Sequence, residues 1–247
     1  MEVLRGFDAL KGRAKLRTVA TVGSYDGLHA AHYLLIDRCC REARRRNCSS
    51  MVVTFEPHPR ITLGRDEGLK LLTTLEEKIF LLEQWGVDYL FVVDFDKDFS
   101  RISQEVFLRD YLVGQLGVEC LIMGYNHRFG CDAGGNSASA VASNLQIDVV
   151  SIEQQFVAEM KVSSTVIRRT IASGDMALAR LQLGHPYIII GTVQCNRLLP
   201  DCRYKLLPTK GEYKAEIEDK CYLVEVTDNG VVLPTDEFEN KKIVIRL

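Results

Sequence analysis

At 247 residues, with 47% hydrophobic and 26% charged side chains, the chain has the profile of a water-soluble globular protein long enough to bury a core without disulfide or metal staples. Its 31 basic and 33 acidic residues leave a net charge of −2, so nothing global points to nucleic acid or to a membrane surface. The longest apolar runs are of strand length, far short of the ~20 residues of a membrane span, and the opening stretch Met1 to Phe7 lacks the apolar segment of a secretory leader, so a cytoplasmic location is expected.

In chain order, Thr18 to Gly23 reads as a short apolar strand that runs into Ser24-Tyr25-Asp26-Gly27, followed by a helix from about Leu28 to Arg46. Ser50 to Phe55 is a second strand, ended by Glu56-Pro57-His58-Pro59. Thr74 to Trp85 is a helix closed by Gly86, and Asp88 to Val93 a third strand. Ser103 caps a helix to Leu116, with Gly117 past its end, and Glu119 to Gly124 is a fourth strand. A glycine-rich turn, Gly130 to Gly135, leads to a short helix near Ser137 to Asn144 and a fifth strand, Asp148 to Ile152. Ser163 and Asp175 open two further helices, the second ending near Gly184.

Five strands alternating with helices imply an α/β, Rossmann-like open parallel sheet covered on both faces, over residues 1–185. Ligands of such sheets bind beyond the carboxyl ends of the strands, near the point where strand order reverses. The loops after the first, second and fourth strands are therefore expected to carry the chemistry. From Pro186 the pattern changes to β-like runs alone: Tyr187 to Val193, Tyr213 to Ile217, Cys221 to Val226, Val231 to Leu233 and Ile243 to Ile245. These predict a small antiparallel, barrel-like second domain over 186–247.

The sharpest cluster is Gly23-Ser24-Tyr25-Asp26-Gly27-Leu28-His29-Ala30-Ala31-His32. A strand ends in glycine, a tight turn follows, and two histidines three apart are read as sharing one face of a helix's first turn. Ring and backbone N–H groups there suit the oxygens of a polyphosphate. The alternative is a pair of surface histidines without a role. The second cluster is Lys161-Val162-Ser163-Ser164-Thr165-Val166-Ile167-Arg168-Arg169. Ser163 alone would be a helix cap. With Ser164, Thr165, Lys161 and Arg168 it forms a second anion site, and two such sites suit a triphosphate. The arginines at 38, 41, 44, 45 and 46 are read as a solvated helix face whose charge complements the dipole. Eight scattered cysteines (39, 40, 48, 120, 131, 195, 202, 221) without a C-x-x-C pair are expected to be reduced thiols, not zinc ligands.

The two clusters are similar to the paired signatures of the nucleotidyltransferase superfamily, His-x-Gly-His and Ser-Ser-Thr-x-Ile-Arg. With Thr54-Phe55-Glu56-Pro57-His58-Pro59, Leu72-Thr73-Thr74-Leu75-Glu76-Glu77-Lys78 and Gly124-Tyr125-Asn126-His127-Arg128-Phe129-Gly130, the chain resembles the bacterial bifunctional riboflavin kinase/FMN adenylyltransferase family, also called FAD synthetase, over about residues 15 to 190. The resemblance implies that His29 and His32 bind ATP phosphates and that Ser164, Thr165 and Arg168 grip the β- and γ-phosphates. It extends the ATP site to Gly23, Ser24, Tyr25, Asp26, Gly27, Ala31, Lys161 and Ser163. Pro57, His58 and Pro59, with Asn126, Arg128 and Phe129, are implied to border the flavin and its phosphate; Phe129 reads equally as core, and the two prolines as shaping the loop.

The implied reaction is direct attack of an FMN phosphate oxygen on the α-phosphorus of ATP, giving FAD and pyrophosphate. Mg²⁺ accompanies ATP and is held mainly by substrate oxygens and water, so no protein metal ligand is nominated. Two departures stand out. Ser24 and Tyr25 replace the family's usual Asn and Phe, and Ala31 replaces the glycine of His-x-Gly-His, where its methyl is expected to crowd adenine. Ala31 is also the argument for an alternative, a catalytically weakened flavin- or nucleotide-binding protein; another is a nucleotidyltransferase with a non-flavin acceptor. The family's kinase barrel carries Pro-Thr-Ala-Asn, which here is replaced by Cys195-Asn196-Arg197-Leu198-Leu199-Pro200-Asp201-Cys202-Arg203-Tyr204, and the chain stops at Leu247, before the usual closing helix. Loss of kinase activity is therefore expected.

Overall fold

The computed structural model describes residues 1–124, 145, 147–152, 156–157 and 160–247, with the backbone alone at 156, 157, 160 and 161. The turn at Gly130 to Gly135 and the helix near Ser137 to Asn144 lie outside the described residues. Two compact units are present: Met1–Tyr25, His32–Glu67 and Leu81–Gln155 form one, and Asp26–Ala31, Gly68–Phe80 and Phe156–Leu247 the other.

The first part of the chain supplies β1 (Glu2–Arg5), β2 (Thr18–Val22), α1 (Ala30–Arg46), β3 (Ser49–Glu56), α2 (Pro59–Thr62), α3 (Leu75–Gln84), β4 (Tyr89–Asp94), α4 (Gln104–Val106), β5 (Val118–Gly124) and β6 (Asp148–Ile152). The six strands form one parallel sheet in the order β1-β4-β3-β2-β5-β6. Central strands such as Thr18–Val22 are buried along their whole length, as strands of a parallel sheet covered on both faces must be. Phe91, Met51, Val53 and Leu121 pack with Phe107, Leu108 and Leu112 in this core. Strand β1 is an addition to the five expected strands. Four residues ending in Glu2 and Arg5 give neither an apolar run nor a clean alternation, yet they pair in register with β4 and bury Leu4.

Two helices differ in detail from the sequence pattern. The stretch Phe107–Gln115 is π-helical and continues α4, whose cap is Ser103 as expected, its hydroxyl accepting from Val106 N at 3.3 Å. Helix α1 begins at Ala30 and not near Leu28, because Gly27 and Leu28 both take positive φ, +89° and +43°. The basic run at its C-terminus is paired on the helix itself: Glu42 takes Arg45 and Arg46 at 2.6 and 2.7 Å, and Arg41 meets Asp37 at 2.9 Å. Arg46 also reaches Asp148 at 2.6 Å, and the arginines at 38, 41, 44 and 45 are exposed.

The second unit joins a short strand pair, β7 (Phe156–Val157) and β8 (Met160–Lys161), to α5 (Ser164–Ala172) and α6 (Met176–Leu183). A closed antiparallel barrel follows, made of β9 (Ile188–Gln194), β10 (Arg197–Pro200), β11 (Gly211–Ile217), β12 (Lys220–Thr227), β13 (Gly230–Val232) and β14 (Lys242–Arg246). Ser163 and Asp175 cap the two helices as expected, and Gly184 ends α6 at φ +79°. Strand β10 was not foreseen. It is joined to β9 by Cys195-Asn196, both at positive φ, the two-residue hairpin turn that Asn-Gly usually marks. Ile167, Ile171 and Leu183 share one apolar cluster with Ile189, Val193, Val224 and Ile245, so helices and barrel of this unit have a common core.

One buried ion pair fastens the barrel's first strand to the cap of α3. Lys205 Nζ donates to Glu77 Oε2, Leu72 O and Ile188 O, each at 2.7 Å, and lies 4.1 Å from the centre of the Tyr187 ring. Glu77 in turn accepts from Ile190 N at 3.0 Å and from Thr74 N at 2.8 Å, while Thr74 Oγ1 accepts from Glu77 N. The last two bonds are a reciprocal capping box.

Candidate functional site

Strand order in the sheet reverses between β2 and β5, since β3 and β4 lie on one side and β6 on the other. The crevice at such a point is where ligands of open α/β sheets bind, and the segment leaving β2 is the first motif. In the sheet unit, Gly23 follows the strand directly, and Tyr25 folds back at φ +47° so that its hydroxyl meets Thr21 Oγ1 at 2.6 Å. A Cβ at position 23 would stand 3.1 Å from the Tyr25 ring, a tight contact that glycine avoids. Thr54 Oγ1 donates to Ser24 O at 3.5 Å. Burial raises the Tyr25 phenol above its ordinary value, so it stays protonated. Its ring meets the half-buried His32 edge-on, with centroids 5.2 Å apart. Tyr25 thus braces His32.

The rest of the motif lies in the barrel unit, where Asp26 is the organising residue. Its buried carboxylate accepts from Leu72 N at 2.8 Å and Thr73 N at 3.1 Å through one oxygen, and from Arg168 Nη2 through the other. Its backbone carbonyl accepts from Ser164 Oγ at 2.9 Å. Gly27 N donates to Thr73 Oγ1 at 2.9 Å, and a methyl on Gly27 would collide with Leu72. The turn and the N-terminus of α5 are therefore joined: the two sequence clusters meet through Asp26, Ser164 and Arg168. Arg168 also donates through Nε to Lys70 O at 2.6 Å. Ser163 caps α5, accepting from Val166 N at 3.4 Å, and Thr165 is exposed at the first turn. Of Lys161 only the strand backbone is described.

His29 departs from the expected position in a helix's first turn. It precedes α1 and is only 5% exposed, because the two positive-φ residues before it turn the chain inward. Burial lowers its ring from the ordinary 6.5 to about 4, with the neighbouring Asp26 opposing the shift. At neutral pH His29 is a neutral N–H donor. The unfolded ring binds a proton near 6.5 and the folded ring does not until about 4, so stability from this group is complete above pH 6.5 and is lost as pH falls toward 4. The full effect is about 3 kcal/mol. Thermal unfolding at pH 7 and pH 5 should show a larger fall for the wild type than for His29→Gln; equal falls would contradict the burial of this ring.

Of the residues expected to border the flavin, Pro57, His58 and Pro59 belong to the sheet unit. Glu56-Pro57 is a cis peptide, and His58 caps the short helix α2, its Nδ1 accepting from Arg60 N at 3.2 Å, with Pro59 as the first helical residue. Asn126, Arg128 and Phe129 lie outside the described residues. No group of three His, Cys, Asp or Glu among the described residues is arranged to hold a metal ion. The seven cysteines among them are all free thiols, and no helix among them is long and apolar enough to cross a membrane. Thr73 and His185 fall in family-like stretches of the sequence, but no site role was assigned to either; they contact the Asp26–Gly27 turn by side chain–backbone bonds that no local spacing marks. His185 Nε2 lies 3.1 Å from Gly27 O.

The sequence matches the FAD synthetase family over residues 12–166. It is 32% identical over 229 residues to the bifunctional riboflavin kinase/FMN adenylyltransferase of Escherichia coli strain K12, covering 88% of this chain and 73% of that protein. The Listeria monocytogenes protein of the same description is 34% identical over 180 residues, 72% of this chain and 57% of that one. Among solved structures, a macrolide-efflux protein from Streptococcus pneumoniae superposes with a TM-score of 0.82 at 21% identity, over 100% of this chain and 90% of that one, a likeness of fold alone.

Proposed function

This chain belongs to the FAD synthetase family, and we propose from that premise that it transfers AMP from ATP to FMN, giving FAD and pyrophosphate. The observation that best supports the reading is the junction of the two phosphate motifs, in which Asp26 binds Arg168 and accepts the Ser164 hydroxyl. A phosphate oxygen of FMN forms the new bond to the α-phosphorus as the bond from that phosphorus to the bridging oxygen breaks, and the electron pair leaves with pyrophosphate. No covalent enzyme intermediate is needed. The chain's task is to align the two substrates and to meet charge on the phosphates. His29 and His32 offer ring N–H groups to the α- and β-phosphates, and Ser164, Thr165 and Arg168, with the α5 N-terminus, face the β- and γ-phosphates. Magnesium arrives as part of the Mg–ATP substrate. Pro57, His58 and Pro59, with Asn126, Arg128 and Phe129, border the flavin. Chromatography after incubation with FMN, ATP and Mg²⁺ should show FAD, with pyrophosphate in equal amount; absence of FAD with turnover of another phosphorylated acceptor would redirect the assignment within the superfamily.

The barrel is proposed to lack riboflavin kinase activity. Strand β10 ends at Pro200 and is followed by Asp201-Cys202-Arg203, which supplies neither the threonine nor the asparagine of Pro-Thr-Ala-Asn. The buried Lys205 that follows is committed to Glu77. Riboflavin with ATP should give neither FMN nor FAD; FMN formed by protein free of host kinase would overturn this. A third expected result concerns Ala31, which is partly exposed at the start of α1. Ala31→Gly should preserve turnover and lower the apparent KM for ATP if the methyl crowds adenine. An unchanged or raised KM would mean that the pocket is fitted to alanine.

A further inference from the structure

The turn that carries His29 is held in a shape its sequence does not favour. Gly27 and Leu28 are consecutive residues at positive φ, +89° and +43°, immediately before the histidine. A leucine there costs on the order of 1 kcal/mol, and such backbone persists only where its surroundings over-determine it. The surroundings do so from three sides. Thr73 Oγ1 accepts the Gly27 N–H, the Leu28 side chain is fully buried, and His185 Nε2 meets the Gly27 carbonyl at 3.1 Å.

His185 is itself rigidly placed. It follows the left-handed cap Gly184 of α6 and precedes Tyr187, whose hydroxyl donates to Leu206 O at 2.6 Å and whose backbone pairs with Leu247. Its other nitrogen, Nδ1, lies 2.7 Å from Pro186 O. Both of these oxygens are carbonyls and a neutral ring carries one proton, so the tautomer with that proton on Nε2 is the one that donates to Gly27 O.

We propose that His185 is a positioning residue for adenylyl transfer: its Nε2–H holds the Gly27 carbonyl and so fixes the direction in which the next turn presents His29 to the phosphates. The inference rests on the reading of His29 as a phosphate ligand. His185 touches no reacting atom and acts through His29 alone.

Steady-state kinetics of the wild type, His185→Ala, His29→Ala and the double variant test this, with His185→Gln as a partial replacement that keeps one N–H donor. Misplacement of a catalytic group by a fraction of an ångström to 1 Å should lower kcat about 10- to 100-fold in His185→Ala, with KM for ATP moved less than about threefold. His185→Gln should recover part of that loss. The double variant should be no slower than His29→Ala, because nothing is left to position. An equal fold-loss with and without His29, or normal kcat in His185→Ala, would overturn the proposal. If His185→Ala does not fold, the same cycle is run with His185→Gln. An inactive wild type would sink the proposed function and this inference together; an active wild type with additive losses would sink the inference alone.

Discussion

Replacing His29 with alanine is expected to lower FAD formation by on the order of 10²- to 10³-fold, the usual cost of one donor aimed at charge that develops in a transition state. The burial that keeps its ring neutral would also keep water from competing for its N–H, so a bond from that group to a phosphate oxygen would be poorly screened. His32→Ala should reduce turnover in the same direction, since the Tyr25 ring edge fixes its orientation. The two variants should differ in stability. His29 is 5% exposed, so its loss leaves a gap and lowers the melting temperature, whereas His32 is half-buried and its loss should change melting little. Turnover near that of the wild type in either variant, measured on protein whose circular dichroism is unchanged, would remove that histidine from the phosphate site.

The largest effect on folding is expected from Glu77→Ala. The Lys205–Glu77 pair is 0% exposed on both sides, and all three protons of the ammonium have acceptors at 2.7 Å. Removing the carboxylate strands a buried cation and frees two backbone N–H groups, those of Thr74 and Ile190. Breaking such a pair by loss of one partner costs about 3–5 kcal/mol, which for a chain of this size lowers the melting temperature by on the order of 10 °C. Burial already pulls the Lys205 ammonium below its ordinary value, so the lysine left alone would shed its proton more readily still. A melting temperature within about 2 °C of the wild type, under 1 kcal/mol on the same scale, would show that the pair is incidental to the barrel's attachment to α3.

The elements legible in the sequence are those with a local signature. Strands β2 to β6 are apolar runs, α5 and α6 announce themselves by Ser163, Asp175 and Gly184, and both phosphate clusters are contiguous. Strand β1 was missed because four residues with a charge at each end carry no periodicity, and β10 because Cys195-Asn196 is an unusual composition for a tight hairpin turn. Within the site, the burial of His29 could not be read from its spacing to His32, since that spacing presumes a helix that in fact starts one residue later. The bonds that organise the turn are long-range: Asp26 to Arg168 spans 142 residues and Gly27 to His185 spans 158. Side chain–backbone contacts over such separations leave no pattern along the chain.

The most direct test of the central claim follows two radiolabels. Purified protein is incubated with FMN and Mg²⁺, in one reaction with ATP labelled on the α-phosphate and in another with ATP labelled on the γ-phosphate, and the products are separated. Adenylyl transfer by attack on the α-phosphorus predicts α-label in FAD and γ-label in pyrophosphate, with no γ-label on any flavin. Label from the γ-phosphate on a flavin, or α-label that never leaves the adenine nucleotides while FMN is present, would contradict it.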